Sequence, residues 1–153
     1  MCLVETFVEE FCSTVFSGHS CVCIPAVKLS SQGRRSGGLI CLIKNEFTSY
    51  IKQVNIKSNS FAAFIINKRL LGTDKDILYV LCYIPPEGSP YYVYFDCEHG
   101  IALLEDYLTD CLLSYGDLYV LLSGDLNSRA AGIYHFCQEN YNSKFLDLQC
   151  VSH

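Results

Sequence analysis

At 153 residues, half of them apolar, the chain is long enough for one domain with a sizeable core and too short for two typical ones. No apolar run reaches bilayer-spanning length, and the N-terminus, Met-Cys-Leu-Val-Glu-Thr, meets a glutamate too early for a signal peptide, so an intracellular protein, nuclear or cytoplasmic and without a membrane partner, is expected. The net charge of −5 excludes a chain uniformly coated with basic residues for gripping nucleic acid.

The charge is unevenly spread. From Lys28 to Arg69 there are eight basic residues and one acidic residue, Glu46, a balance of +7 that leaves −12 for the remainder. Such a segment suits a polyanionic substrate held beside carboxylates; it is equally the composition of a solvated lysine-rich face. The ten cysteines are read as reduced, because no secretory signal accompanies them. Cys41 and Cys82 lie in apolar runs, where a thiol acts as a small hydrophobe. Cys21 and Cys23 have no partner pair at zinc-finger spacing, so no zinc site is expected.

In chain order, Leu3 and Val4 form the tail of a strand that runs into Glu5 and Thr6 and is shorter than strands usually are, as if the chain began partway through a domain. Phe7, Val8, Phe11, Cys12 and Val15 recur at helical spacing, with Ser17 and Gly18 as a stop. Residues 20–27 make a strand ending near Pro25, and residues 29–38 a basic loop holding Gly33, Arg34, Arg35, Ser36, Gly37 and Gly38. Its glycines would let backbone amides approach a phosphate, or simply connect a hairpin.

Residues 39–43, 50–56 and 61–66 follow as strands and read as consecutive antiparallel neighbours. A turn over residues 72–76 precedes a further strand at 77–83, which Pro85, Pro86 and Gly88 end. Tyr83 closes that strand, either as a phenol able to donate to a phosphoryl oxygen or as a half-buried packing residue. The aromatic stretch 91–94 is a loop edge or the start of another element. Ile101, Leu104, Leu108, Cys111 and Leu112 mark a helix over 100–115, closed by Gly116. Weaker apolar segments follow at 133–141 and 145–150. Strands interleaved with two helices indicate an α+β or α/β sandwich.

The chemistry concentrates at 118–129, Leu-Tyr-Val-Leu-Leu-Ser-Gly-Asp-Leu-Asn-Ser-Arg, where a short apolar run reads as a buried strand that stops at Gly124. Asp125 and Asn127 alternate, so in extended chain both point to one side and together suit a hard cation and a phosphoryl oxygen. Gly-Asp-x-Asn after a strand is also ordinary turn chemistry.

Four stretches together, Leu3-Val4-Glu5-Thr6, Gly33-Arg34-Arg35-Ser36-Gly37-Gly38-Leu39, Tyr83-Ile84-Pro85-Pro86 and Ser123-Gly124-Asp125-Leu126-Asn127-Ser128-Arg129, make the chain similar to the endonuclease/exonuclease/phosphatase superfamily. Within it the chain resembles the apurinic-type endonuclease domains of non-LTR retrotransposons. The resemblance implies an α+β fold, a two-sheet sandwich flanked by helices, with residues 1–153 forming one partial domain. It implies hydrolysis of phosphodiesters or phosphomonoesters with Mg2+ or Mn2+, DNA as the substrate, and a reverse transcriptase as a partner in a longer ancestral polyprotein. Glu5 matches the metal-binding glutamate and Tyr83 the tyrosine that contacts the phosphate. Asp125 matches the aspartate that orients or deprotonates the attacking water, and Asn127 the asparagine that holds the scissile phosphate. Arg34, Arg35 and Ser36 fall where substrate would bind.

Two family features have no counterpart: a first strand ending in an asparagine near the metal, and an Asp-His pair several strands after the Asp-x-Asn. The chain stops at His153, 26 residues past Asn127, and that histidine, like His19, His99 and His135, carries no motif context. An impaired hydrolase is therefore expected, with a non-catalytic retroelement remnant as the alternative and a small phosphatase as a weaker third possibility.

Overall fold

The computed structural model describes residues 1–9, 16–55, 58–94 and 100–127. Its elements are β1 (Cys2–Val4), β2 (His19–Ile24), β3 (Leu39–Lys44), a 3-10 turn (Asn45–Tyr50), β4 (Ile51–Val54), β5 (Phe61–Ile66), α1 (Lys68–Leu71), β6 (Ile77–Tyr83), α2 (Pro90–Tyr94), α3 (Gly100–Tyr115) and β7 (Tyr119–Asp125). They form a three-stranded sheet, β1-β3-β2, and a four-stranded sheet, β4-β5-β6-β7. All pairings are antiparallel except β6 with β7, which is parallel and is reached through α3.

Side-chain alternation builds two cores on the larger sheet. Phe61, Ala63, Leu78, Val80, Cys82 and Ile84 face Leu104, Leu108 and Cys111 of α3. From the opposite face, Ala62, Phe64, Leu81 and Tyr83 pack on Leu39 and Cys41 of the smaller sheet. β5 and β6 are thus buried on both faces, which is why they read as unbroken apolar runs. The fold is α+β, two packed sheets with a long helix on the outer face.

Several expectations are corrected. β3 and β4 are not neighbours, because the 3-10 turn starting at Asn45 takes the chain from one sheet to the other. That turn also takes Tyr50 out of the strand, so β4 begins at Ile51. Residues 7–9 are not helical: the Phe7 amide donates to the Gly37 carbonyl and the Val8 carbonyl accepts from Ala26, which ties this stretch to the loops flanking β2 and β3. The rest of the expected helix, Ile56, and the segments 133–141 and 145–150 lie outside the described residues. β7 is only half-buried, with Leu121 50% exposed, since among the described residues it is the outermost strand of its sheet. Residues 91–94 belong to a short helix. Among the described residues no helix is long and apolar enough to cross a membrane.

Candidate active site at the open end of the sandwich

Glu5 sits on a bulge. β1 pairs with β3 in the register Leu3↔Ile40 and Val4↔Leu39, so Glu5 is due opposite Gly38, yet it is the Thr6 amide that donates to the Gly38 carbonyl, at 3.1 Å. One extra residue has entered the strand, and its backbone is left-handed, φ +52° for Glu5. A residue other than glycine held there stores about 1–2 kcal/mol. What the bulge accomplishes is a change in the direction of the glutamate side chain. Gly38 makes this close approach possible: a Cβ there would lie 2.5 Å from Thr6 Oγ1. That hydroxyl is itself buried without a hydrogen-bond partner among the described residues.

Tyr83 and Asp125 end neighbouring strands in direct register, Tyr83↔Asp125, and the Ile84 amide donates to the Asp125 carbonyl at 2.8 Å. Gly124 permits this pairing. With φ +129°, a Cβ at that position would stand 1.8 Å from the Cys82 carbonyl oxygen, so no other residue fits without displacing the strand.

Asp125 and Asn127 are joined differently from the strand alternation expected of them. Asn127 is left-handed, φ +43°, and its amide donates to Asp125 Oδ1 at 2.9 Å, an Asx turn that replaces extended chain. The Asn127 side chain folds back and donates through Nδ2 to the Ile84 carbonyl at 2.9 Å. One N–H and the amide oxygen remain for other partners.

The phenol of Tyr83 is the meeting point. Burial pushes it up to about 12; a hydrogen bond from Ser36 works against that rise, while a hydrogen bond to the Glu5 carboxylate and the negative charges of Glu5 and Asp125 add to it. Glu5, Ser36, Tyr83 and Asp125, far apart in sequence, thus converge on one place. Neither carboxylate is ion-paired to a basic side chain among the described residues.

The basic loop is bound into the protein. Val27 and Ser36 exchange backbone hydrogen bonds at 2.9 and 2.8 Å, which makes residues 27–36 a hairpin connection. Arg35 pairs with Glu9, and the Arg34 guanidinium lies 4.8 Å from the centre of the Phe7 ring. Of the three residues expected to bind substrate, only Ser36 reaches the phenol; the two arginines hold the loop to residues 7–9.

Asn127 also borders a groove of about 1020 Å3 lined by Ile84, Tyr92, Ile101 and Leu126, whose charged lining among the described residues is Glu87 and Glu105. Among the described residues no three His, Cys, Asp or Glu side chains lie close enough to enclose a metal ion. Thr6 and the Glu5 bulge are not legible in the sequence, since no sequence pattern marks a cross-strand insertion. Ser128 and Arg129, the end of the Gly-Asp-x-Asn stretch, lie outside the described residues.

Two sheets packed face to face and flanked by helices match the endonuclease/exonuclease/phosphatase type of fold. The human Nocturnin catalytic domain, solved with a bound sulfate anion, has this fold and is similar to the chain with a TM-score of 0.50 and 14% identity. The match covers 92% of the chain and 56% of that domain, so the chain spans little more than half of its structural neighbour. No family model matches the sequence, and no curated protein does.

Proposed function

We propose that the chain is the divalent-metal-dependent phosphodiester hydrolase part of an endonuclease, acting on DNA and descended from a non-LTR retrotransposon protein that also carried a reverse transcriptase. The observation that carries the reading is the convergence of Glu5, Ser36 and Asp125 on the Tyr83 phenol. The order of the four sequence stretches supports the ancestry, and a sulfate bound to a protein of the same fold fits an anion-receiving site.

Two unpaired carboxylates suit Mg2+ or Mn2+ in particular, since Mg2+ takes one or two carboxylates and fills its remaining positions with waters and substrate oxygens. The ion would supply charge stabilisation for the phosphoryl oxygens, with Glu5 as its principal protein ligand. With substrate bound, the Tyr83 and Ser36 hydroxyls would turn from Glu5 and from each other and donate to the phosphate. Asp125, fixed by the Asx turn, orients the attacking water and takes its proton. Asn127 uses its free N–H to hold the scissile phosphate.

A second reading, a non-catalytic fold that keeps metal or nucleic-acid affinity, is favoured by the internal engagement of Arg34, Arg35 and the Asn127 amide. Plasmid nicking by the purified chain with magnesium decides between them. Nicking that disappears in Asp125→Ala supports the hydrolase; nicking indifferent to that substitution removes it, and no turnover leaves the binding fold.

A further inference from the structure

Away from the phosphate site, β1 and β3 bring two thiols together. Cys2 and Cys41 are cross-strand partners, and their Sγ atoms are 3.1 Å apart. Met1 and Leu42 exchange both of their hydrogen bonds, at 2.9 and 2.8 Å, so the next pair, Cys2 and Cys41, is the non-hydrogen-bonded kind. Cα atoms in such pairs stand about 4.5 Å apart, at the short end of the range a disulfide spans. Cys2 is partly exposed, whereas Cys41 is buried at 5% exposure. One thiol is open to a small oxidant, and the other waits behind it.

We propose that Cys2 and Cys41 form a peroxide-driven, thiol-reversible disulfide site that staples the edge strand β1 to β3. The inference does not rest on the hydrolase reading. In the first step the Cys2 thiolate attacks one oxygen of hydrogen peroxide, the O–O bond breaks, and the departing hydroxide takes a proton to become water. Cys2 is then a sulfenic acid. In the second, the Cys41 sulfur attacks the Cys2 sulfur; the S–S bond forms, the S–O bond breaks, and the Cys41 proton leaves with the hydroxyl as a second water. Two thiols are oxidised, and one peroxide is reduced to two waters.

The surroundings assign the roles. A hydrogen bond from Cys41 lowers the Cys2 thiol to about 6 against the opposing effect of burial, with Tyr79 and the N-terminal ammonium helping. The same contact and burial raise Cys41. Cys2 is therefore the attacking thiolate and Cys41 the resolving thiol. The Tyr79 hydroxyl near this pair meets Ser123 Oγ of β7 at 2.5 Å.

The test is peroxide treatment of the whole chain followed by digestion and mass spectrometry without reductant. A Cys2–Cys41 linked peptide is expected, lighter than the two thiol peptides by two hydrogens, restored by dithiothreitol and lost in Cys2→Ser. In Cys41→Ser the reaction halts at a sulfenic acid on Cys2, which dimedone traps. The proposal is overturned if Cys2 and Cys41 both stay thiols while other cysteines oxidise, or if Cys2 links to a different cysteine. Should a variant fail to fold, early-quenched dimedone labelling of the unsubstituted chain tests the same step: label on Cys2 supports it, and label on other cysteines alone overturns it.

Discussion

Tyr83, the last residue of β6, stands in direct register with Asp125, the last residue of β7, and the Glu5 carboxylate on the bulge that follows β1 comes near enough to its phenol to help raise it. Glu5 follows a strand of the smaller sheet and Tyr83 ends a strand of the larger one, so this approach crosses between the sheets. Because Tyr83 is neutral when protonated and is raised from 10.0 to about 12, its folded form favours the proton. The resulting stabilisation is complete below the unfolded value of 10.0 and is lost as pH rises through about 12. Urea titrations of the chain and of Tyr83→Phe across that window are expected to differ by an amount that shrinks with pH, on the order of 2 kcal/mol in total. A difference independent of pH would place the phenol away from the carboxylates.

Glu5 and Asp125 approach the same phenol, but their proposed work differs. Glu5→Gln keeps the hydrogen-bonding shape and removes the charge, so it is expected to raise the magnesium concentration needed for half-maximal nicking while a saturating concentration restores much of the rate. Asp125→Asn removes the proton acceptor, and a loss of roughly 100- to 10,000-fold is expected to persist at any magnesium concentration. Magnesium titrations of nicking rate for both variants check the division. Identical responses would refute separate roles.

Gly124 is where the motif is most purely steric. In Gly124→Ala the new Cβ meets the Cys82 carbonyl oxygen at 1.8 Å on a backbone with φ +129°, and β6 and β7 must separate. A loss of about 2–4 kcal/mol is expected, large for an exposed position, and is read as a fall in the urea midpoint. Gly116→Ala, also left-handed at φ +82° but with open space around it, is expected to lose less.

Asn127 combines a backbone role with a chemical one, and two substitutions separate them. Asn127→Gly tolerates φ +43° and keeps the amide that donates to Asp125, whereas Asn127→Ala adds left-handed strain of about 1–2 kcal/mol. Both delete the side-chain bond to the Ile84 carbonyl. Alanine is expected to be the less stable of the two, while nicking falls equally in both if the amide holds the phosphate. Nicking retained in the glycine variant would make Asn127 a turn residue alone.

Much of the architecture was readable along the chain. β5 and β6 appear as apolar runs with the observed bounds because both of their faces are buried, and the span of α3 follows from its apolar spacing between Gly100 and Gly116. The residues of the candidate site were legible too, as types and in order: Glu5 after a strand, Tyr83 at a strand end, Asp125 after a glycine. A strand end, a turn glycine and an apolar period are local properties, fixed by neighbours a few positions away. What no local pattern states is which strands share a sheet. The split of β3 from β4, the parallel register that sets Tyr83 opposite Asp125, the extra residue that turns Glu5, and the sulfur contact of Cys2 with Cys41 all depend on pairings between distant segments. Only the packed chain selects these, because each pairing is decided by the apolar area both sheets bury together and not by the residues of either strand alone.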